Sequence, residues 1–358
     1  MIRVAVVGCG FQGRVHVDSL RRLDDVEVVA VCDVDAERRD GLAEEAGVRM
    51  RYADYRRLLD AHADELDLVT VCTMPATHRE ITVAALAAGA HVLCEKPFAR
   101  TLEEACEMAA AARKADRLLT VGFNMRYTQN ARVLHALVAD GRVGAPLYAR
   151  AWGRAGEPPW WGRHYERAVS GGGALAATAV HLLDLALWTA GFPRPLAVSA
   201  SARTVFPRKR ARTAPTAAAA AAFDVEDLVS AHVRFEGGFW MMVEGAWIWD
   251  RPGWDYSFEL QAEDALLEFD PFRVTLERDS RLVDATPEIE HPIDWALDFP
   301  LSVAREIEDF VAAVRAGRQP LIRPEEALIT QAITDAIYRS AAADAEVPVE
   351  PLPTTAGT

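Results

Sequence analysis

The chain is poor in cysteine, in positive charge relative to negative, and in long apolar runs, and each shortage excludes something. Its five cysteines, at 9, 32, 72, 94 and 106 in 358 residues, all fall in the first third. No two have the spacing of a metal or redox motif, so neither a disulfide nor a metal is expected. Cys32, Cys72 and Cys94 close apolar runs and read as small buried filler. With 39 Lys and Arg against 53 Asp and Glu, the formal charge is -14, and long-range repulsion disfavours a nucleic-acid or anionic-membrane partner. No apolar stretch reads as long enough to cross a bilayer. Met1 leads straight into strand-like sequence with no charged leader, apolar signal core or cleavage site, so a cytoplasmic protein is expected.

What is present is ample apolar content. At 51% hydrophobic residues the chain can fill two cores, and the pattern changes near residue 122. Up to Val121, the apolar runs Ile2 to Val7, Val26 to Cys32, Leu68 to Cys72, His91 to Cys94 and Leu118 to Val121 alternate with stretches of helical spacing. Near-continuous apolar strands separated by helices indicate a parallel sheet covered on both faces. Beyond Phe123, residues alternate over Asp227 to Phe235, Phe239 to Trp249, Ser257 to Gln261 and Arg273 to Arg278, with a Gly237-Gly238 hairpin signal. The expected fold is α/β: a doubly wound parallel sheet over 1–122, then an α+β domain over 123–358 with an open, mostly antiparallel sheet. An open face needs cover, so a homodimer or homotetramer joined through that sheet is expected. The basic run Pro207 to Arg212 and the alanines 217–222 lack a packing pattern, and 206–222 reads as a mobile, solvated loop.

Two short runs carry most of the chemical information. Gly8-Cys9-Gly10-Phe11-Gln12-Gly13 follows the first strand and opens a helix, the arrangement that turns tightly, brings backbone close to a pyrophosphate and packs helix on sheet. Unpaired helix N-H groups and the positive dipole end face the phosphates. Asp33 stands twenty positions after Gly13, at the end of the next strand, where a carboxylate accepts ribose hydroxyls. NAD is therefore expected over NADP, whose 2'-phosphate would meet Asp33 and Asp35 at a cost of several kcal/mol, although Arg38 and Arg39 lie nearby. The second run, Cys94-Glu95-Lys96-Pro97, puts a lysine at a strand end with extended backbone imposed by the following proline. A partly desolvated lysine beside a nicotinamide has a lowered pKa and can exchange a proton with a substrate hydroxyl while hydride leaves the same carbon. Glu95 would position it.

Ligands of such sheets sit beyond the carboxyl ends of the strands, which gathers Gly8, Asp33, Thr73, Glu95 and Lys96 at one edge. Further on, Gly171-Gly172-Gly173-Ala174-Leu175 leads into a helix with His181 and Asp184 among leucines. His181 is a natural proton acceptor, its unperturbed pKa lying near 6.5.

The glycine run, Asp33, Thr73-Met74-Pro75 with His78, Cys94 to Pro97, Gly122-Phe123-Asn124-Met125-Arg126-Tyr127 and the Gly171 to Asp184 stretch occur in an order that resembles the Gfo/Idh/MocA oxidoreductases over almost the whole chain. The resemblance implies a Rossmann domain, a C-terminal domain that oligomerises through its open sheet, and redox chemistry at a hydroxyl or keto carbon of a sugar, sugar derivative or cyclic polyol. It implies that Thr73, Pro75 and His78 line the cofactor together with Gly8, Gly10, Phe11, Gln12, Gly13, Asp33, Glu95, Lys96 and Asn124, with Lys96 as catalytic lysine and His181 in proton transfer. One departure stands out. The family commonly has aspartate four residues before that histidine, where this chain has Ala177. Thr178, Asp184 or another segment would have to substitute, and Tyr165 offers a stand-in proton donor. Trp152-Gly153-Arg154 and Pro158 to Tyr165 read as an aromatic and cationic loop suited to a sugar's C-H and O-H surfaces. Arg126, Arg154, Trp161, Tyr165, Thr178 and Asp184 are the side chains expected at the substrate. Two alternatives stay open: a redox-assisted glycoside hydrolase or lyase that keeps its NAD, and a catalytically weak dinucleotide-binding sensor.

Overall fold

A computed structural model describes residues 1–62, 65–206, 213–251 and 253–352. The chain forms two compact units, Met1–Asn124 with Phe299–Leu328, and Met125–Asp298 with Ile329 onward. The expected single division at 122 has no place for the return of Phe299–Leu328 to the first unit.

Among its described residues, the first unit contains six parallel strands: β1 (Ile2–Val7), β2 (Val26–Cys32), β3 (Met50–Tyr52), β4 (Leu68–Val71), β5 (His91–Cys94) and β6 (Leu119–Val121). Their order is β3-β2-β1-β4-β5-β6, a doubly wound sheet whose direction of winding reverses between β1 and β4. Five of these strands fall where the apolar runs predict them. The edge strand β3 has only three residues and no periodicity to announce it. Helices begin where the sequence caps them: the Asp35 carboxylate accepts from the N-H groups of Glu37 and Arg38 ahead of Ala36–Ala46, and Thr101 accepts from Glu104 ahead of Leu102–Ala115. Val4, Val6, Val31, Leu68 and Leu93 form a core with Val17 and Leu20 of helix Phe11–Leu20. Val303, Ile307, Phe310 and Val311, from the returning segment, complete that core.

The second unit is built on nine strands among its described residues: β7 (Pro146–Ala155), β8 (Pro195–Arg203), β9 (Leu228–Phe235), β10 (Trp240–Ala246), β11 (Trp254–Ala262), β12 (Ala265–Glu268), β13 (Arg273–Arg278), β14 (Arg281–Asp284) and β15 (Val347–Pro348). The order is β14-β13-β12-β11-β7-β10-β9-β8-β15. Every pair is antiparallel except β7 with β10. Gly237 and Gly238 turn β9 into β10 with φ of 78° and 90°, as the hairpin signal predicts.

Three expectations are corrected here. Trp152, Gly153 and Arg154 lie in β7, a central strand, and not in a loop. Arg167–Thr189 is by composition long and apolar enough to cross a membrane, but 72% of its most apolar window is buried, with its helix Val180–Thr189 packed on β7 and β11. The alanine stretch is not a solvated loop. Thr216 accepts from the Ala219 N-H and caps a short helix, Ala217–Ala221, whose Ala219 is buried, while Phe206 and Phe223 stack at 4.9 Å in a core with Trp247. The basic run 207–212 lies outside the described residues.

Candidate active site

The parallel register brings the strand ends level. Val7 is paired with Cys32 and Val71, Val71 with Cys94, and Cys94 with Val121. Gly8, Asp33, Glu95 and Gly122 each come directly after a paired strand end, and Thr73 follows one residue further on. The chemistry-bearing residues of the first unit therefore stand along one edge of one sheet.

Gly8 has φ of +100°, and a Cβ there would lie 2.5 Å from the Cys72 carbonyl oxygen, so both conformation and space require glycine. A Cβ on Gly13 would overlap the Gly8 carbonyl oxygen, which is how closely helix approaches strand. At Gly10 a Cβ would meet nothing within 4 Å, and no side chain caps the helix that starts at Phe11. The helix N-terminus therefore opens onto space beside an uncapped set of N-H groups, as a pyrophosphate needs. Asp33 is oriented by the N-H groups of Cys9, at 2.7 Å to Oδ2, and Asp35, at 2.9 Å to Oδ1. Further lone pairs remain for a ribose diol. The nearby arginines are already engaged: Arg38 pairs with Asp35 at 3.4 Å and Arg39 with Asp40 at 3.0 Å. These features fit an unphosphorylated ribose.

Phe11 is exposed and stacks on Phe299 with ring centres 5.9 Å apart. Thr73 accepts from the Thr77 hydroxyl at 2.8 Å, and Pro75 opens the turn Pro75–Thr77. His78 is fully buried, its ring nitrogens 3.0 Å from the carbonyl oxygens of Pro97 and Thr73. Burial holds its pKa below the usual histidine range. It ties the Thr73 turn to the Lys96-Pro97 turn, whose peptide bond is cis, instead of offering a free edge to a cofactor. Asn124 is buried too, and its Nδ2 donates to Ser302 Oγ at 2.7 Å.

Glu95 is the hub. It is buried, and its Oε1 accepts from Gln12 Nε2 at 2.7 Å and lies 3.1 Å from His16 Nε2. Its Oε2 accepts from the Lys96 backbone N-H at 3.2 Å. Burial by itself would push the carboxyl up, but the contacts with His16, the Lys96 charge and the Gln12 hydrogen bond outweigh it and leave the group below the usual range. The half-buried Lys96 is held below the usual lysine value by burial, against the opposing charge of Glu95. Gln12 thus acts on Glu95, a contact the glycine-run reading does not foresee. His16 is missed by the sequence reading altogether, although its place one helical turn after Gln12 puts it on the same face.

In the second unit, the glycine run is anchored by Glu226, another residue with no sequence signal. Its buried carboxylate accepts from Gly173 N-H at 2.9 Å, Leu175 N-H at 3.0 Å and Tyr338 OH at 3.0 Å. The chain then runs through a π-helical segment, Ala174–Ala179, into helix Val180–Thr189, where His181 sits half-buried in the first turn. Irregular turns of this kind recur where a helix must aim a side chain.

Four of the side chains expected at the substrate are held by partners within the protein. Asp184 and Arg126 are fully buried and form a two-pronged pair, with Arg126 Nε donating to Oδ2 at 2.8 Å and its terminal nitrogen to Oδ1 at 2.7 Å. Thr178 is buried and accepts from the Trp247 indole N-H at 2.8 Å. Asp184 and Thr178, the candidates to stand in for an aspartate at 177, are thus each held by a partner of their own. Ala177 itself packs against the Phe206, Phe223 and Trp247 cluster, an apolar setting where an ionised side chain would be costly. Arg154 is clasped by Glu244 and by Asp255, at 3.1 Å. Tyr165 packs on Trp160 with ring centres 5.4 Å apart, whereas Trp161 is 63% exposed. Among the described residues, no group of three or more His, Cys, Asp or Glu is arranged to hold a metal ion.

Comparison with known proteins agrees with this construction. The family profile described as an oxidoreductase family with NAD-binding Rossmann fold matches residues 2–123, and that of the GFO/IDH/MocA C-terminal domain matches 131–268. D-glucoside 3-dehydrogenase of Escherichia coli is 37% identical over 203 residues, 56% of this chain and 57% of that protein. The chain thus spans little more than half the length of such curated relatives. Inositol 2-dehydrogenase of Azotobacter vinelandii is 30% identical over 322 residues, covering 88% of this chain and 87% of that one. The solved structure of GenD2 from gentamicin A biosynthesis in complex with NAD matches with a TM-score of 0.79 at 28% identity, over 98% of this chain and 97% of that one. With an NAD-binding Rossmann unit carrying Glu95-Lys96-Pro97 and a matching C-terminal domain, the chain belongs to the Gfo/Idh/MocA family of oxidoreductases.

Proposed function

We propose that this protein is an NAD(H)-dependent dehydrogenase or reductase acting on a hydroxyl or keto carbon of a sugar, sugar derivative or cyclic polyol. The observation that carries the reading is Lys96: a half-buried lysine with a lowered pKa, held against the buried Glu95 carboxylate at the carboxyl edge of a dinucleotide-binding sheet. The D-glucoside and inositol dehydrogenases among its relatives support that substrate class.

In this reading the Gly8 to Gly13 turn and the open helix end at Gly10 hold the pyrophosphate, and Asp33 accepts the ribose hydroxyls. Thr73 and Pro75 border the cofactor. NAD supplies the hydride acceptor, and NADH the donor. Lys96, in its neutral form, accepts at Nζ the proton of the substrate hydroxyl as that carbon is oxidised, and as ammonium returns it during reduction. His181 is assigned a share of the same proton transfer. Trp161 offers an exposed aromatic face to the sugar ring. The working form is a homodimer or homotetramer joined through the nine-stranded sheet.

The test is nicotinamide absorbance at steady state with NAD or NADP and a panel of inositols, hexoses, glucosides and sugar acids. Lys96→Met is expected to lower kcat by about 10²- to 10⁴-fold, the usual worth of a general acid-base, and His181→Asn by a smaller factor, with NADH affinity kept in both. Substrate turnover that depends on Lys96 without net NAD reduction would overturn the dehydrogenase reading in favour of a transient-redox lyase.

A further inference from the structure

One buried residue of the Glu95 cluster has no part in the mechanism above. His16 is wholly buried on helix Phe11–Leu20. Its Nε2 is 3.1 Å from Glu95 Oε1, while its Nδ1 is buried with no hydrogen-bond partner among the described residues. These facts choose the tautomer. A hydrogen on Nδ1 alone would bury an unsatisfied N-H and set the Nε2 lone pair against a carboxylate oxygen. A hydrogen on Nε2 donates to Glu95 and leaves only a bare lone pair on Nδ1.

We propose that His16 is a positioning residue for Lys96: by donating Nε2-H to Glu95 it keeps that carboxylate ionised and turned toward the lysine, and so sets where Lys96 exchanges its proton. The proposal rests on the assignment of Lys96 made above. A buried carboxylate needs donors to remain charged, and the structure provides Gln12 and His16 on Oε1 and the Lys96 backbone N-H on Oε2. The other elements around Glu95 do not replace them. Cys72, beside β4, and Cys94 of β5 are thiols that burial and the Glu95 charge push up. They stay neutral and bring no positive charge. His78, on helix His78–Ala87, is held neutral-leaning by burial, and its ring nitrogens face the Thr73 and Pro97 carbonyls. The β6 side presents Gly122, where a Cβ would lie 3.0 Å from the carboxylate.

The consequence has a definite sign. Without the His16 donor, Glu95 takes up a proton more readily. A neutral Glu95 no longer offsets the cost of burying the ammonium, so Lys96 should titrate lower. The lysines of the chain are Lys96, Lys114 and Lys209, and the exposed Lys114 serves as an internal reference. The experiment is competitive acetylation of the full-length, NAD-free protein by acetic anhydride across pH, read at each lysine by mass spectrometry, in wild type and in His16→Leu, His16→Asn and His16→Gln. The asparagine amide overlays Nδ1 and does not reach Glu95, whereas the glutamine amide has the length to replace Nε2-H.

The midpoint at Lys96 is expected to fall by about 0.5 pH unit or more in the Leu and Asn variants, to return toward wild type in Gln, and to stay fixed at Lys114. Turnover should fall about tenfold in Leu and Asn and recover to within about threefold in Gln, matching the loss of one charge-assisted hydrogen bond. If the leucine variant does not fold, the polar asparagine variant gives the same reading. An unmoved Lys96 midpoint, or a glutamine variant that behaves like leucine, overturns the proposal. Full turnover by Lys96→Met would instead sink the catalytic assignment, and the acetylation profiles of the His16 variants would still decide whether His16 governs the lysine.

Discussion

At Lys96 two influences oppose one another, burial favouring the neutral amine and Glu95 favouring the ammonium, and burial is the larger. The sign for catalysis follows. Oxidation needs the neutral amine, whose fraction grows with pH, so kcat/KM for alcohol oxidation should climb with pH and level off, with a midpoint below the ordinary lysine value of 10.5. Glu95→Gln removes the opposing charge and should move that midpoint lower still. A midpoint at or above the ordinary value would show that Lys96 is not the group being titrated. Asp33 gives a second test at this scale. Its carboxylate, pre-oriented by the Cys9 and Asp35 N-H groups, would lose two charge-assisted bonds to ribose in Asp33→Ala. NADH affinity should drop about 10- to 100-fold while NADPH affinity changes little, as fluorescence titration would measure. Equal losses for both would mean that Asp33 does not read the ribose. Lys96, Glu95, Asp33 and the glycines are legible in the sequence because their chemistry is written in contiguous runs with fixed spacing. His16 and Glu226 are not, because each acts through a partner distant in sequence, 79 residues away for His16 and Glu95.

The elements of the first unit are legible for a related reason: parallel strands buried on both faces read as unbroken apolar runs. In the second unit the central strand β7 is hidden because its pattern is inverted. Ala149, Ala151, Gly153 and Ala155 face inward, while Tyr148, Arg150, Trp152 and Arg154 face the opposite side. Small inward residues are required there, since a Cβ on Gly153 would lie 2.9 Å from the Ala179 Cα of the π-helical segment. A reader of periodicity sees tryptophan and arginine, and infers a binding loop. Arg126 and Asp184, expected at the substrate, form a buried pair that Thr330 also approaches, at 3.2 Å. Removing one partner leaves a buried charge without compensation. Asp184→Leu should therefore cost about 3 to 5 kcal/mol in urea unfolding, and Arg126→Met with Asp184→Leu should recover most of it. If Asp184 served the substrate, its replacement would raise KM and spare stability, so one pair of measurements separates the two roles.

For the molecule as a whole, the nine-stranded sheet poses the question of what covers its second face. Inward residues such as Val243, Phe258 and Leu260 are buried, whereas the outer side of β7, β10 and β9 brings together Tyr148, Trp240, Met242 and His232, ringed by Arg150, Glu244 and Arg234. Tyr148 and Trp240 lie with ring centres 4.2 Å apart, and Trp240 remains 39% exposed. Aromatic side chains and methionine at the middle with charges at the margin is the composition of a protein interface, and the paired charges of both signs allow the face to meet a copy of itself across a two-fold axis. At an overall charge of -14, two copies would repel at long range, so an association through this face would rest on its apolar area and should be strengthened by salt. Sedimentation or light scattering of the wild-type protein is expected to give two or four times the 39.2 kDa chain mass. Trp240→Glu with Met242→Arg should shift that toward a single chain, most completely at low ionic strength. A wild-type protein that sediments as one chain at micromolar concentration, or a variant that assembles unchanged, would remove this face as the interface.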